Sequence, residues 1–139
     1  MKLLLTTLFF LLGACEENTS SSMPPTVESD PKEQPSVRQI SVDELYAKQS
    51  QSDIIIVDVR TSGEYKQGHV PKTQNIPLQE LDSRMKELES WKEKEIHLIC
   101  AVGGRSQRAA TLLAKQGFLH PLNVRGGTSA WKAAGYPQE

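Results

Sequence analysis

The sequence predicts an α/β domain with a mainly parallel sheet, and three observations predict it. Asp53-Ile54-Ile55-Ile56-Val57-Asp58-Val59 is a nearly unbroken apolar, β-branched run. Such a run marks a strand covered on both faces, as in a parallel sheet, rather than an alternating half-exposed one. Extended and helical patterns then alternate along the chain, the order that strand–helix–strand units require. Finally, capping boxes mark where extended chain hands over to helix.

Each element follows in order. Val37 to Ile40 is a short strand. Ser41-Val42-Asp43-Glu44 is a capping box that opens a helix to about Gln49. The β-branched run is the second strand. Thr61-Ser62-Gly63-Glu64 is another capping box, opening a short helix that Gly68 ends. Asn75-Ile76-Pro77 is a short extended piece limited by its proline. Leu78, Leu81, Met85, Leu88 and Trp91 recur at three- and four-residue intervals, which predicts an amphipathic helix. Glu95 to Cys100 is a strand, and Ala101-Val102-Gly103-Gly104 is a tight loop. Ser106 to Gln116 is strongly helical, with Gly117 as a helix-ending residue. Leu119 to Val124 is the last strand, and Gly126-Gly127 leads to a short helix from Thr128 to Ala134.

Composition bounds the rest. The chain has 139 residues, 37% hydrophobic and 24% charged, with a formal net charge of -1. It is globular in composition, and its charge gives no footprint for nucleic acid. Two cysteines, Cys15 and Cys100, exclude a disulfide-rich scaffold and an all-cysteine metal site. His69, His97 and His120 do not cluster, and no metal or organic cofactor is indicated.

Residues 1–14 read as a signal peptide. Lys2 precedes a ten-residue apolar run and then Gly13-Ala14. The run is shorter than the roughly 20 residues of a transmembrane helix. Leu12-Gly13-Ala14-Cys15 resembles the bacterial lipobox, which implies cleavage before Cys15 and lipidation of that residue. An ordinary signal peptide or a buried helix are the competing readings. Glu16 after the cysteine favours, by analogy with Gram-negative lipoproteins, the outer membrane facing the periplasm. Residues 15–36 follow as an acidic tether rich in Ser, Thr and Pro, with five acids, one lysine and two apolar residues after Cys15. Residues 37–139 hold fourteen basic and twelve acidic residues and suffice for one modest core.

The chemistry concentrates after the strand that ends at Cys100, because open α/β sheets gather sites at the carboxyl ends of their strands. The two glycines of Ala101-Val102-Gly103-Gly104-Arg105-Ser106 permit a loop with inward N–H groups. The next helix adds unpaired N–H groups and its positive end. A cysteine sulfur at the centre of such an anion cradle has a lowered pKa. Arg105 adds a fixed charge and a forked donor for an oxyanion. The competing reading for an isolated cysteine is a buried core residue.

Cys100-Ala101-Val102-Gly103-Gly104-Arg105-Ser106 resembles the active-site loop of the rhodanese family. Asp58-Val59-Arg60, Glu64-Tyr65, Gly68-His69-Val70 and Asn75-Ile76-Pro77 are similar to that family's N-terminal signature. Val124-Arg125-Gly126-Gly127, Trp131 and Gly135-Tyr136-Pro137 are similar to its C-terminal one. Lys72-Thr73 departs from the Gly-Ala common among relatives. The resemblance implies a five-stranded, mostly parallel sheet with helices on both faces. It also implies sulfur transfer: Cys100 takes a sulfane sulfur from a donor such as thiosulfate, becomes a persulfide, and yields that sulfur to cyanide or a thiol, a thiol protein included. Ala101 to Gly104 would supply N–H groups, with Arg105 and Ser106 completing the cradle.

Other residues read more plainly. Asp58 and Arg60, at a strand end, support neighbouring loops by an ion pair and backbone hydrogen bonds in preference to binding substrate. His69 is a turn residue, His97 is packed or solvated, Arg108 is a surface charge, and Trp131 and Tyr136 close the core. Two rivals stand beside sulfur transfer. A cysteine-dependent phosphatase or arsenate reductase needs five residues between cysteine and arginine, whereas Ala101 to Gly104 are four. Non-catalytic modules that resemble this family usually lack the loop cysteine, which is present here, whereas in a redox-sensing module Cys100 would be oxidised or paired with another protein's thiol.

Overall fold

The computed structural model describes residues 37–139, and in them five strands form one sheet in the order β1-β5-β4-β2-β3. β1 is Arg38–Ile40, β2 Ile55–Asp58, β3 Thr73–Asn75, β4 Glu95–Ile99 and β5 His120–Val124. Every neighbouring pair is parallel. The expected five-stranded parallel sheet is present, and no antiparallel pair occurs in it. Each connection returns the chain to the same end of the sheet through a helical segment, so no hairpin forms. The signal peptide, Cys15 and the tether lie outside the described residues.

The local signals explain the helix starts. α1 (Val42–Lys48) begins where Ser41 Oγ accepts from the Glu44 N–H at 3.2 Å and the Glu44 carboxylate accepts from the Ser41 N–H at 2.7 Å. α2 (Ser62–Lys66) repeats the arrangement with Thr61 and Glu64, and Gly68 follows it at φ 127°. α3 (Gly104–Lys115) starts two residues earlier than expected. Its end is a Schellman turn: Gly117, at φ 87°, donates to the Ala114 carbonyl and Phe118 to that of Leu113. α4 (Gly127–Ala133) closes the fold.

The expected amphipathic helix over Leu78 to Trp91 differs. Its first half is a series of turns, and Met85–Trp91 is a 3-10 helix. Within that helix Met85, Leu88 and Trp91 recur every three residues, which a 3-10 helix places along one side. The buried stripe itself is present. Leu81 and Leu88 are fully buried, and Leu78, Met85 and Trp91 pack on the same core.

Helices cover both faces of the sheet. On one face Ala109, Ala110 and Leu113 of α3 and Leu88 of the 3-10 helix pack on Val57, Ile96 and Leu98. On the other, Val42 and Leu45 of α1 and Trp131 of α4 pack on Ile56, Ile99 and Leu122. Trp131 is fully buried, its indole N–H donating to the Pro137 carbonyl at 2.7 Å, and Tyr136 packs beside it. Both residues close the core as expected. β4 lies between β2 and β5, so the residue after it opens at the middle of the sheet's carboxyl edge.

Candidate active site

Cys100 is that residue. It is 1% exposed, follows β4 directly, and lies at the mouth of the loop that feeds α3. Gly103 is the residue before α3 and has φ 108°, a conformation that glycine adopts without the cost a side chain brings. Its N–H donates to Cys100 Sγ at 3.1 Å, and Ser106 Oγ stands 3.3 Å from the same sulfur. Gly104 differs from expectation: it is the first residue of α3, without positive φ, and a Cβ there would meet nothing within 4 Å. One glycine, not two, makes the turn.

Burial alone would push the Cys100 thiol up, and it is the largest single influence on it. The combined hydrogen bonds from the Ser106 hydroxyl and the backbone N–H groups of Ser106, Gly103 and Val102 outweigh it. The net direction is downward from the ordinary thiol value. The buried sulfur is therefore shifted towards the thiolate relative to an ordinary cysteine.

The loop is held from behind by α4. The N–H of Thr128 donates to the Cys100 carbonyl at 2.7 Å and that of Ser129 to the Ala101 carbonyl at 3.0 Å. These bonds occupy the loop's carbonyl groups and leave the following N–H groups for the sulfur. The approach is close enough that a Cβ on Gly127 would lie 2.2 Å from the Cys100 oxygen. The glycine pair after β5 was visible in the sequence. Its purpose appears only once the sheet order puts β5 beside β4.

Arg105, expected as a forked donor for an oxyanion, has a partner the sequence did not name: its two terminal nitrogens donate to the Glu64 carboxylate at 2.8 and 2.7 Å. That bidentate pair holds the Glu64 carboxyl down to about 2, chiefly through the Arg105 hydrogen bonds, with the Thr61 bonds adding to them. Glu64 thereby serves both as the α2 capping residue and as a tie between α2 and the loop. Its capping role was legible; nothing in the spacing named Arg105 as its second partner.

Asp58 and Arg60 behave as supports. Asp58 is fully buried and Arg60 is 4% exposed. The guanidinium donates to both Asp58 carboxylate oxygens at 2.6 to 3.0 Å and to the Gly68 carbonyl at 3.0 Å. Asn75 Nδ2 donates to the carbonyls of Asp58 and Arg60, both at 2.9 Å. The pair thus ties together the end of β2, the Gly68 turn and β3. Val102, at the loop tip, is 69% exposed, and Arg108 is exposed on α3.

The histidines stand apart from the sulfur. His69 stacks on Tyr65 with ring centroids 3.7 Å apart, its Nδ1 at 3.1 Å from the Tyr65 carbonyl, as a turn residue should. His97 is buried in β4 with Nδ1 at 3.0 Å from the Ile55 carbonyl. Among the described residues no group of three or more His, Cys, Asp or Glu is arranged to hold a metal ion.

One further residue escaped sequence reasoning. Asn123 of β5 is 5% exposed and its Oδ1 lies 2.6 Å from Ser106 Oγ. It connects the sulfur's main side-chain donor to the rest of the protein.

Residues 41–134 match the family model described as "Rhodanese-like domain". A protein named "Sulfurtransferase" from Allochromatium vinosum is 36% identical over 85 residues, covering 61% of this chain and 78% of that protein. "Thiosulfate sulfurtransferase GlpE" of Pseudoalteromonas translucida is 31% identical over 97 residues, covering 70% of this chain and 90% of that one. The crystal structure of a rhodanese-related protein from Thermoplasma volcanium superposes with a TM-score of 0.66 at 34% identity, covering 73% of this chain and 97% of that chain.

Proposed function

The chain belongs to the rhodanese-like domain family, and from that premise we propose that it is a thiosulfate-type sulfurtransferase working through a persulfide on Cys100. The observation that carries the reading is the setting of Cys100 Sγ, which faces the Gly103 N–H at 3.1 Å and Ser106 Oγ at 3.3 Å at the amino end of α3. These donors favour the negative sulfur of the Cys100 thiolate.

In the first half-reaction the Cys100 thiolate attacks the outer sulfur of thiosulfate. The sulfur–sulfur bond of the donor breaks, its electron pair leaves with sulfite, and Cys100 carries a persulfide anion. In the second, cyanide or a thiolate attacks the terminal sulfur. The bond to Cys100 breaks, its pair returns to the cysteine as thiolate, and the acceptor leaves carrying the sulfur. No net electrons are supplied or removed, so these steps call for no cofactor. Ala101, Val102, Gly103 and Gly104 contribute the backbone of the cradle. Ser106 contributes its hydroxyl, and Arg105, locked to Glu64, fixes the rim.

The same proposal extends to the N-terminal region. Residues 1–14 are removed as a signal peptide, Cys15 is lipidated, and residues 15–36 tether a domain of residues 37–139 to the cell envelope, at the periplasmic side of an outer membrane in a Gram-negative host. Steady-state kinetics test the catalytic part. With thiosulfate and cyanide varied together, double-reciprocal plots should be parallel, the signature of a covalent two-step reaction, and Cys100→Ala should abolish turnover. Intersecting plots, or turnover retained in Cys100→Ala, would overturn the reading.

A further inference from the structure

Ser106 carries one hydroxyl proton, and three acceptors surround it. Oγ lies 2.6 Å from Asn123 Oδ1, 3.1 Å from the Gly103 carbonyl and 3.3 Å from Cys100 Sγ. The Gly103 carbonyl already accepts the Gln107 N–H at 3.0 Å. That carbonyl keeps a second lone pair, but Asn123 Oδ1 is the nearest of the three acceptors and competes with the sulfur for the proton. Asn123 Oδ1 has no other hydrogen-bond donor among the described residues, and the orientation of its amide is fixed. Its Nδ2 donates to Gln39 Oε1 at 2.7 Å and to Gln107 Oε1 at 3.2 Å, and Gln39 Nε2 donates to Gln107 Oε1 at 2.5 Å. The amide oxygen is thus held against Ser106, in a place where both residues are buried.

We infer that Asn123 is a positioning residue that competes with the Cys100 thiolate for the Ser106 proton. The inference rests on the persulfide reading above and deepens it. With Cys100 as a thiol, its S–H donates to Ser106 Oγ, and the Ser106 hydroxyl donates to Asn123. When the thiol ionises, the hydroxyl turns to the sulfur and leaves the Asn123 oxygen unpaired in a buried site, at a cost. When the thiolate becomes a persulfide, the negative charge moves to the terminal sulfur. The inner sulfur no longer demands the proton, and the hydroxyl returns to Asn123. The toggle therefore keeps the thiolate from being stabilised too far. That matters because a thiolate of very low pKa is a weak nucleophile. It also tilts the resting balance towards the loaded enzyme.

The test uses the full-length chain without any sulfur donor. Alkylation of Cys100 by iodoacetamide is followed against pH, with peptide mass mapping to separate it from Cys15. Asn123→Leu removes the competing acceptor at similar volume. Its Cys100 should alkylate about threefold faster than wild type at pH values below the wild-type midpoint, a roughly tenfold gain in thiolate from one hydrogen bond to a charged group being partly offset by the lower nucleophilicity of a more acidic thiol. Asn123→Asp supplies a stronger acceptor at the same place and should slow alkylation about threefold or more there, an effect that Ser106→Ala should remove. In a Ser106→Ala background the Leu substitution should change nothing, since the toggle is gone. Substitutions acting only on packing would move both variants the same way. Equal shifts in direction, no shift, or a Leu effect that survives Ser106→Ala would overturn the inference. Should Asn123→Leu fail to fold, Asn123→Asp decides, and unchanged or faster alkylation, or a slowing that survives Ser106→Ala, overturns it. Because alkylation needs no persulfide, a protein that never loads sulfur yet shows these shifts would count against the proposed activity and not against the toggle.

Discussion

At the scale of single residues, much was legible because the signals were local. Ser41, Thr61, Glu44 and Glu64 cap helices within four residues of one another, and Cys100 announces itself by the loop that follows. What distance in sequence hid were the second partners: Arg105 on Glu64, and Asn123 on Ser106. Lys72 is instructive. Its φ of 65° is the left-handed conformation that glycine accepts at least cost. His97 carries a prediction of its own. Burial is the main reason its imidazole sits below the ordinary value of 6.5; the Ile55 carbonyl and Glu95 oppose that, while Lys48 and Arg38 add to it. Its Nε2 has no hydrogen-bond partner. Below pH 6.5 the unfolded chain takes up a proton that the folded protein resists. Stability should therefore fall as pH drops from that value towards the lowered folded one. His97→Asn keeps a donor for Ile55 and cannot titrate, so urea midpoints across this window should flatten in that variant. An unchanged slope would show that burial of His97 does not govern it.

At the scale of elements, the other four strands and the two capped helix starts were readable, whereas β3 lies at Thr73–Asn75, two residues before the expected Asn75-Ile76-Pro77, and the type of the helical segment before β4 was not legible. Apolar spacing reports which residues face the core, and Leu81 and Leu88 obey it. Spacing between three and four does not by itself choose between a 3-10 helix and an α-helix, which differ by one residue in where each backbone N–H bonds. The contact between α4 and the active loop was also invisible, since it is made by backbone atoms from segments far apart in sequence. It supports a sharp expectation. Gly127→Ala forces a Cβ against the Cys100 carbonyl at a distance that no relaxation of a side chain can relieve. The variant should lose about 3 kcal/mol by urea unfolding, from overpacking and the positive φ together. Its Cys100 should also lose the raised reactivity of the cradle, read as slower alkylation near neutral pH. A loss below about 0.5 kcal/mol would mean that α4 does not pin the loop.

At the scale of the whole molecule, composition alone divides the chain into an apolar start, an acidic stretch and a domain of mild positive charge. Strand order is not legible in composition or in local pattern. Which strands neighbour one another is decided by contacts across the chain, and the order β1-β5-β4-β2-β3 is what brings the turn after β5 against the loop after β4. The anchoring proposal is tested at this scale. In cell fractionation the wild-type chain should sediment with membranes and Cys15→Ser should not; a Cys15→Ser protein that stays with the membranes would remove the lipid from the proposal. Everything proposed for the domain depends on Cys100 becoming a sulfur carrier. The most direct test is the intact mass of the protein after exposure to thiosulfate and removal of excess reagent. Wild type should gain one sulfur atom, a gain reversed by cyanide and absent in Cys100→Ala. A wild-type mass that does not change, or a gain that persists in Cys100→Ala, would contradict the persulfide.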